Sequence, residues 1–380
     1  MYISRIELRN WKNFKEAEAT LGNRVFLIGP NASGKSNLLD AFRFLRDIAN
    51  HQLEKAVNDF RSGVSALRCL AATRYSNIDL EVTLTEADQK QWRYCLSFSQ
   101  DNLRRPVVNK ELVYGPDEIM ILQRPNSEDR QDPFRLTQTA LEQVSENKEF
   151  RKVADFFKSI SYQQLLPQVV RDPRGFSPLP VQNDPFGRDF LLRLWRTTPK
   201  TRDSRLKKIT AALRSAVPQL SDLVVRMDNS GTPHLIGGYS HWRLHDARQN
   251  ESQFSDGTLR LLGLLWTVYE GSGLLLLEEP EISLHPEIVR RLPTIFYRIN
   301  RSRKEPRQLV ISTHSEEMLS DKSIGPEEVL RLEPSPNGTR ICLPDEADRK
   351  AMSEGLTAAD VLMPKAAPEN IGQLTFEFEA

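Results

Sequence analysis

Apolar side chains recur along the chain with two different periods. Residues 2–9 alternate, with Tyr2, Ile3, Ile6 and Leu8 set among Ser4, Arg5, Glu7 and Arg9, and after Asn13-Phe14-Lys15 a second segment, 16–21, leads into the apolar run Val25-Phe26-Leu27-Ile28. Alternation marks a half-buried strand and an unbroken apolar run marks one covered on both faces. An antiparallel pair feeding a central strand is therefore expected. Helical spacing in Asn37-Leu38-Leu39-Asp40-Ala41-Phe42-Arg43-Phe44-Leu45 predicts a helix over about 36–60. The segments 78–84, 92–98, 107–114 and 118–123 alternate again and are rich in β-branched or aromatic residues, which predicts an antiparallel meander beside the central sheet.

From about 133 to 220 the period lengthens. Residues 137–160 and 203–216 are spaced as helices, with proline-rich 167–185 between them, and no heptad pattern lasts long enough for a coiled-coil arm. Strand-like pieces return at 222–227 and 233–239. A largely apolar helix follows at 258–269, then apolar strands at Gly273–Glu278 and Leu309–Ser312. The end, 344–380, is proline-broken and acidic and is expected to be a loosely attached tail, with Leu374, Phe376 and Phe378 as a candidate partner dock or a packing patch. The pattern divides the chain into 1–125, 126–221 (mostly helical), 222–343 and 344–380.

Composition adds bounds. At 380 residues and 39% hydrophobic, the chain can bury two or three structural units. Lys and Arg number 52 against 51 Asp and Glu, so any basic surface must be local. Cys69, Cys95 and Cys342 are far apart, which suggests neither a disulfide framework nor a zinc site. With no apolar run of about 18 residues and no signal-peptide pattern, a cytoplasmic protein with no membrane partner is expected.

One stretch organises the rest. Gly29-Pro30-Asn31-Ala32-Ser33-Gly34-Lys35-Ser36 fits the spacing G-x-x-x-x-G-K-[ST] between a strand and a helix. Glycines let the backbone curl so that N–H groups and the helix N-terminus face a β-phosphate; Lys35 can reach the β- and γ-phosphates, and the Ser36 hydroxyl can ligate Mg²⁺. Gly273–Glu278 is followed by Glu279-Pro280, so two carboxylates sit where parallel strands bind ligands. Glu278 is assigned the metal through water, and Glu279 the attacking water. His314, at the end of 309–313, can sense the γ-phosphate or help position that water. Phe254-Ser255-Asp256-Gly257 opens the helix 258–269 as a second anion-binding end, which makes sense if Ser255, Asp256 and Gly257 close over the ATP of a neighbouring subunit; Ser-Asp-Gly is equally a common turn and N-cap. His241 and His245 lack a third metal ligand. Residues 188–208 carry eight Lys and Arg against Asp189 and Asp203, interleaved with Phe190 and Trp195. They form either a nucleic-acid contact with base stacking or a solvated helix face over a core stripe.

The four motifs GPNASGKS, FSDGTLRLL, LLLLEEPEISLHP and ISTHS, in this order, resemble the ABC-type ATPase heads of the SMC, RecF and OLD families, and most of all stand-alone AAA-family ATPases of bacterial defence and abortive-infection operons. The resemblance covers about residues 1–125 and 222–343. It implies an α/β fold of P-loop NTPase type, with a mixed central sheet, an antiparallel β-subdomain and a helical insertion. It also implies a Mg²⁺-dependent ATPase with Lys35, Glu279 and His314 as catalytic residues. Ser255 and Gly257 become the signature that contacts the other subunit's γ-phosphate, and Ser283-Leu284-His285 the loop after the catalytic carboxylate. Glu278 stands where the family more often has Asp, and Ser-Asp-Gly where transporter heads have Ser-Gly-Gly. The expected assembly is a head-to-tail homodimer around two ATPs that controls a separately encoded toxin or nuclease in anti-phage defence. The alternative is a DNA-binding ATPase of repair or chromosome maintenance.

Overall fold

The computed structural model describes residues 1–73, 75–172, 184–240 and 247–367. The first sheet is antiparallel. Its strands are β1 (Tyr2–Trp11), β2 (Phe14–Thr20), β4 (Ile78–Thr85), β5 (Gln91–Gln100), β6 (Pro106–Tyr114) and β7 (Met120–Arg124), in the order β2-β1-β4-β5-β6-β7. The opening pair and the meander expected from the sequence are thus one sheet, because β1 pairs with β2 on one side and β4 on the other.

The central sheet has the order β15-β14-β3-β13-β12-β8, from β3 (Arg24–Ile28), β8 (Ser161–Gln163), β12 (Leu274–Glu278), β13 (Gln308–Ser312), β14 (Val329–Glu333) and β15 (Arg340–Cys342). All neighbours are parallel except β14 and β15. Its apolar strands feed two cores. Val25, Leu27, Leu274, Leu276 and Val310 pack toward the antiparallel sheet and the helix Lys35–Asn50, while Phe26, Ile28, Leu275, Leu277 and Ile311 pack against the helices on the other face. Each such side chain contributes about 1.5–3 kcal/mol by leaving water. That two-sided burial is why these runs do not alternate. A third, antiparallel sheet joins β9 (Leu220–Met227), β10 (Pro233–Tyr239) and β11 (Ala247–Asn250).

Two expectations are corrected. Residues 137–160 are not one helix: only Arg151–Lys158 is α-helical, after 3₁₀ turns at Pro133–Thr137 and Lys148–Phe150. Side chains satisfy part of this backbone. The Ala140 N–H donates to both oxygens of buried Glu111 at 3.0 and 2.8 Å, and Asn147 Nδ2 donates to the Leu141 carbonyl at 2.8 Å. Just beyond, the insertion returns to the central sheet as β8. The tail is also not loose over its described part. Helices Glu346–Ser353 and Ala358–Ala366 pack onto the body through buried Ala358, Ala359 and Leu362. Its acids act as caps, since Asp345 with Asp348 and Thr357 with Asp360 each close a capping box. His241, His245, Leu374, Phe376 and Phe378 lie outside the described residues.

Candidate functional site

Because β3, β8, β12 and β13 run parallel, everything that follows their last residues collects at one end of the sheet. The phosphate loop leaves β3, Glu278 and Glu279 end β12, Thr313 and His314 follow β13, and Gln163 and Gln164 end β8.

The loop is a backbone cradle. Gly34 has φ +100°, and a Cβ there would stand 2.0 Å from Asn13 Nδ2; Gly29, at φ +149°, leaves 2.6 Å to the Leu332 carbonyl. No larger residue fits either position. Asn13, at the tip between β1 and β2, braces the curl by donating to the Ser33 carbonyl at 3.0 Å and accepting from Asn37 Nδ2 at 2.7 Å. Thr339 Oγ1 donates to the same Ser33 carbonyl at 3.0 Å.

Lys35 Nζ folds back onto the carbonyls of Gly29 at 2.9 Å and Pro30 at 3.0 Å. Burial pulls its pKa down to about 8, against the opposing fields of Glu279, Glu278 and Glu281. The Ser36 hydroxyl donates to Glu278 Oε1, and the Tyr162 hydroxyl donates to Glu278 Oε2. The donor set fits Mg²⁺: a hydroxyl and a carboxylate oxygen, both hard ligands, already meet at one point beside the loop.

Glu279 holds an unusual backbone, φ +43°, at an energy of about 1–3 kcal/mol. The Ser312 carbonyl accepts its N–H at 3.0 Å, and Arg260 donates to its carbonyl at 3.3 Å. This turn sends its side chain toward His314, whose Nε2 lies 3.6 Å from Glu279 Oε1. Burial, then the charge of Lys35, lower the His314 pKa, so the ring is neutral at pH 7. Glu281 holds the strand end by accepting from Thr313 Oγ1 at 2.6 Å and the His314 N–H at 3.2 Å. Asn31, Glu279, Glu281 and His314 line one open cleft of about 520 Å³.

Ser255 is exposed and caps the helix Asp256–Tyr269, accepting from the Thr258 N–H at 3.1 Å. Asp256 pairs with Arg171 at 2.5 Å. Gly257 abuts the loop after the carboxylates, where a Cβ would stand 3.0 Å from the Ser283 carbonyl. Among the described residues, no hydrogen bond or ion pair joins Ser255, Asp256 or Gly257 to residues 29–36.

Residues 24–320 match the family described as AAA domain, putative AbiEii toxin, Type IV TA system. The chain belongs to this AAA-domain family. Similar curated proteins include the DNA replication and repair protein RecF of Lactobacillus gasseri, 26% identical over 180 residues, covering 45% of this chain and 48% of that protein. RecF of Lactobacillus johnsonii is 33% identical over 95 residues, 24% of this chain and 25% of that protein. The chain thus spans at most about half the length of these relatives. Its fold is similar to an SMC head solved with the C-terminal winged-helix domain of ScpA (TM-score 0.57, 13% identity, covering 93% of this chain and 100% of that one). It also resembles an SMC head with an extended coiled coil, bound to the C-terminal domain of ScpA derived from Pyrococcus furiosus (TM-score 0.53, 10% identity, 93% and 98% covered). The chain is thus an AAA-domain protein with a fold similar to SMC heads and a sequence similar to part of RecF.

In this AAA-domain protein the sequence motifs miss Tyr162, Gln164, Asn13 and Thr339, and Glu281, inside one of them, is assigned no role by it. Tyr162 sits 7% exposed with the Arg43 guanidinium 4.4 Å from its ring centre, and its hydroxyl is 3.4 Å from Gln164 Oε1. Only Ser-Tyr-Gln-Gln at the close of a helical period marked this strand, and three residues carry no readable alternation. The two readings of 188–208, nucleic-acid contact or solvated helix face, meet a mixed arrangement. Phe190 is fully buried and Trp195 lies under the Arg202 guanidinium at 5.1 Å, while Arg193 is held by Asp189 at 3.0 Å and Glu270 at 2.5 Å. Among the described residues, no helix is long and apolar enough to cross a membrane.

Proposed function

We propose that the protein binds ATP with Mg²⁺ and hydrolyses it in a head-to-tail homodimer, each site completed by Ser255 of the other subunit. The observation that carries this reading is the division of the site. Lys35, Ser36, Glu278, Glu279 and His314 converge at one sheet end, while the exposed serine-capped helix end has no partner among them in its own chain. A helix N-terminus offers free N–H groups to an anion, and a second copy places one over each phosphate loop.

In the site, residues 29–36 hold the β- and γ-phosphates through backbone N–H groups and Lys35. Ser36 and Glu278 would hold Mg²⁺, which would neutralise phosphate charge there. Glu279 orients the attacking water and accepts its proton, and neutral His314 holds the water's or the γ-phosphate's orientation. Loss of the γ-phosphate removes a group that both subunits grip, so the dimer loosens by that difference in affinity. The shape change governs a separately encoded toxin or nuclease in anti-phage defence, a reading supported by the family's toxin–antitoxin description. The similarity to RecF favours a second reading, a DNA-repair ATPase.

Mixing subunits tests the dimer. Lys35→Ala and Ser255→Arg are each expected to be inactive alone. Random mixing in equal amounts restores one sound site in each mixed dimer, or about a quarter of native ATPase activity. A mixture no more active than its components would overturn the shared site. For the governing role, co-purification of a neighbouring-gene product with Glu279→Gln in ATP is expected; DNA-stimulated turnover without such a partner would favour the repair reading.

A further inference from the structure

Away from the nucleotide site, two basic segments about a hundred residues apart in sequence meet. The helix Pro199–Leu213 contributes Lys200, Arg205 and Lys208, and the turn after helix Leu292–Arg301 contributes Arg303 and Lys304. Together they line an open cleft of about 520 Å³, whose other walls include Ser204, Ser272 and Ser302. Gly271 and Ser272 precede β12, so the cleft lies at the amino end of the strand whose carboxyl end carries Glu278.

The fold pairs no carboxylate directly with this cluster, although the fields of Glu270 and Glu305 reach Arg205 and Arg303. Among the described residues, no carboxylate lies within ion-pair distance of any of the five cations, and Glu305 is the single acid in the lining. Arg303 is fixed instead by carbonyls, donating to Val268 at 2.9 Å and to Gly271. Aromatic faces fix two more: Arg205 lies 5.4 Å from the Trp266 ring centre and Lys208 5.7 Å from that of Tyr269. The guanidinium pKa values record crowding. Burial and then Arg205 lower that of Arg303, and burial and then Arg303 bring that of buried Arg307, behind the cleft, down to about 9.

We propose that this cleft is a second anion site, which grips successive backbone phosphates of a nucleic-acid strand. Fixed guanidinium forks, lysine ammonium groups and hydroxyl donors match phosphate oxygens. The lining offers no aliphatic pocket in which a peptide could anchor, whereas nucleic-acid interfaces are polar and positive. The site is independent of the shared ATP site, though structurally connected to it. The helix Asp256–Tyr269 runs from Ser255 at one end to Tyr269 in the cleft at the other, about 21 Å at 1.5 Å per residue.

The test is fluorescence anisotropy of a labelled single-stranded oligonucleotide with the full chain. The comparison is with Lys200→Glu/Lys208→Glu/Lys304→Glu and with an equal charge change at Lys15, Lys90 and Lys148, all exposed positions. Native protein and the second variant are expected to bind at low salt, with a log–log salt slope of about −2 if roughly three phosphates are contacted at about 0.7 each. The cleft variant is expected to bind at least tenfold more weakly while keeping native ATPase activity, which separates this proposal from the shared ATP site. Lys304→Glu alone should give a smaller loss in the same direction. No binding by native protein, equal losses in both triple variants, displacement by poly-glutamate as readily as by unlabelled strand, or binding of pyrophosphate alone would each overturn it.

Discussion

Replacing Tyr162 with Phe isolates how a glutamate does the work more often given to an aspartate. Glu278 reaches one methylene further than Asp, and its carboxylate needs a second hold to keep its outer oxygen aligned. Tyr162 supplies it by donating to Oε2 while Ser36 takes Oε1. The ring is 7% exposed and lies against the Arg43 guanidinium, so Phe keeps the packing and removes only the hydroxyl. A hydrogen bond to a charged group contributes about 1.5–3 kcal/mol. Glu278 is partly exposed, so water replaces part of it and about 1–1.5 kcal/mol remains. If that energy holds Glu278 in its metal-binding position, half-saturating Mg²⁺ rises about five- to tenfold, while kcat at saturating Mg²⁺ stays within about threefold. The assay is ATPase rate against Mg²⁺, paired with thermal unfolding in EDTA, where the Tm should fall by about 1–3 °C. An unchanged Mg²⁺ midpoint with an unchanged Tm would refute the second hold. A fall in Tm alone would make Tyr162 merely structural.

Glu279→Gln is expected to bind ATP, lose at least about a hundredfold in turnover and remain dimeric in sizing with ATP, whereas Lys35→Ala loses both binding and turnover. Lys35, with its pKa lowered to about 8, is charged below that pH and neutral above it, so ATP affinity should weaken as pH rises through about 8. Calorimetry at pH 8.5 in two buffers of different ionisation enthalpy should show proton uptake on ATP binding; no uptake would remove Lys35 from that role. In the empty protein the lowered pKa has the opposite effect on folding. The unfolded lysine binds the proton more tightly, so this group's contribution to stability grows from about pH 8 to its ordinary value and is least below pH 8. Gly34→Ala places a Cβ 2.0 Å from Asn13 Nδ2 at φ +100°, and should abolish ATP binding with a fall in Tm of several degrees. Native ATP affinity in that variant would show that the loop has another shape in solution.

The local sequence was sufficient for the phosphate loop, the strand carrying Glu278 and Glu279, and His314. Each depends on a short run whose composition states its surroundings: three or four consecutive apolar residues for a strand covered on both sides, glycines for a curl no side chain permits. What tertiary structure decided is which distant pieces share a point. Tyr162 reaches Glu278 only because a three-residue strand pairs with β12 across 116 positions of chain, and Asn13 braces a loop twenty residues away. In 137–160 the helical spacing was outweighed by buried Glu111, whose two carboxyl oxygens accept from the Ala140 N–H. Asp345, Asp348 and Asp360, read as tail, belong to capping boxes whose partners lie three residues away. The basic run at 188–208 likewise divided only on folding: Arg193 and Arg202 are occupied by neighbours, while Lys200, Arg205 and Lys208 meet Arg303 and Lys304. A one-dimensional pattern reports how much water a side chain meets; which charge stands opposite it is set by how the sheets and helices close.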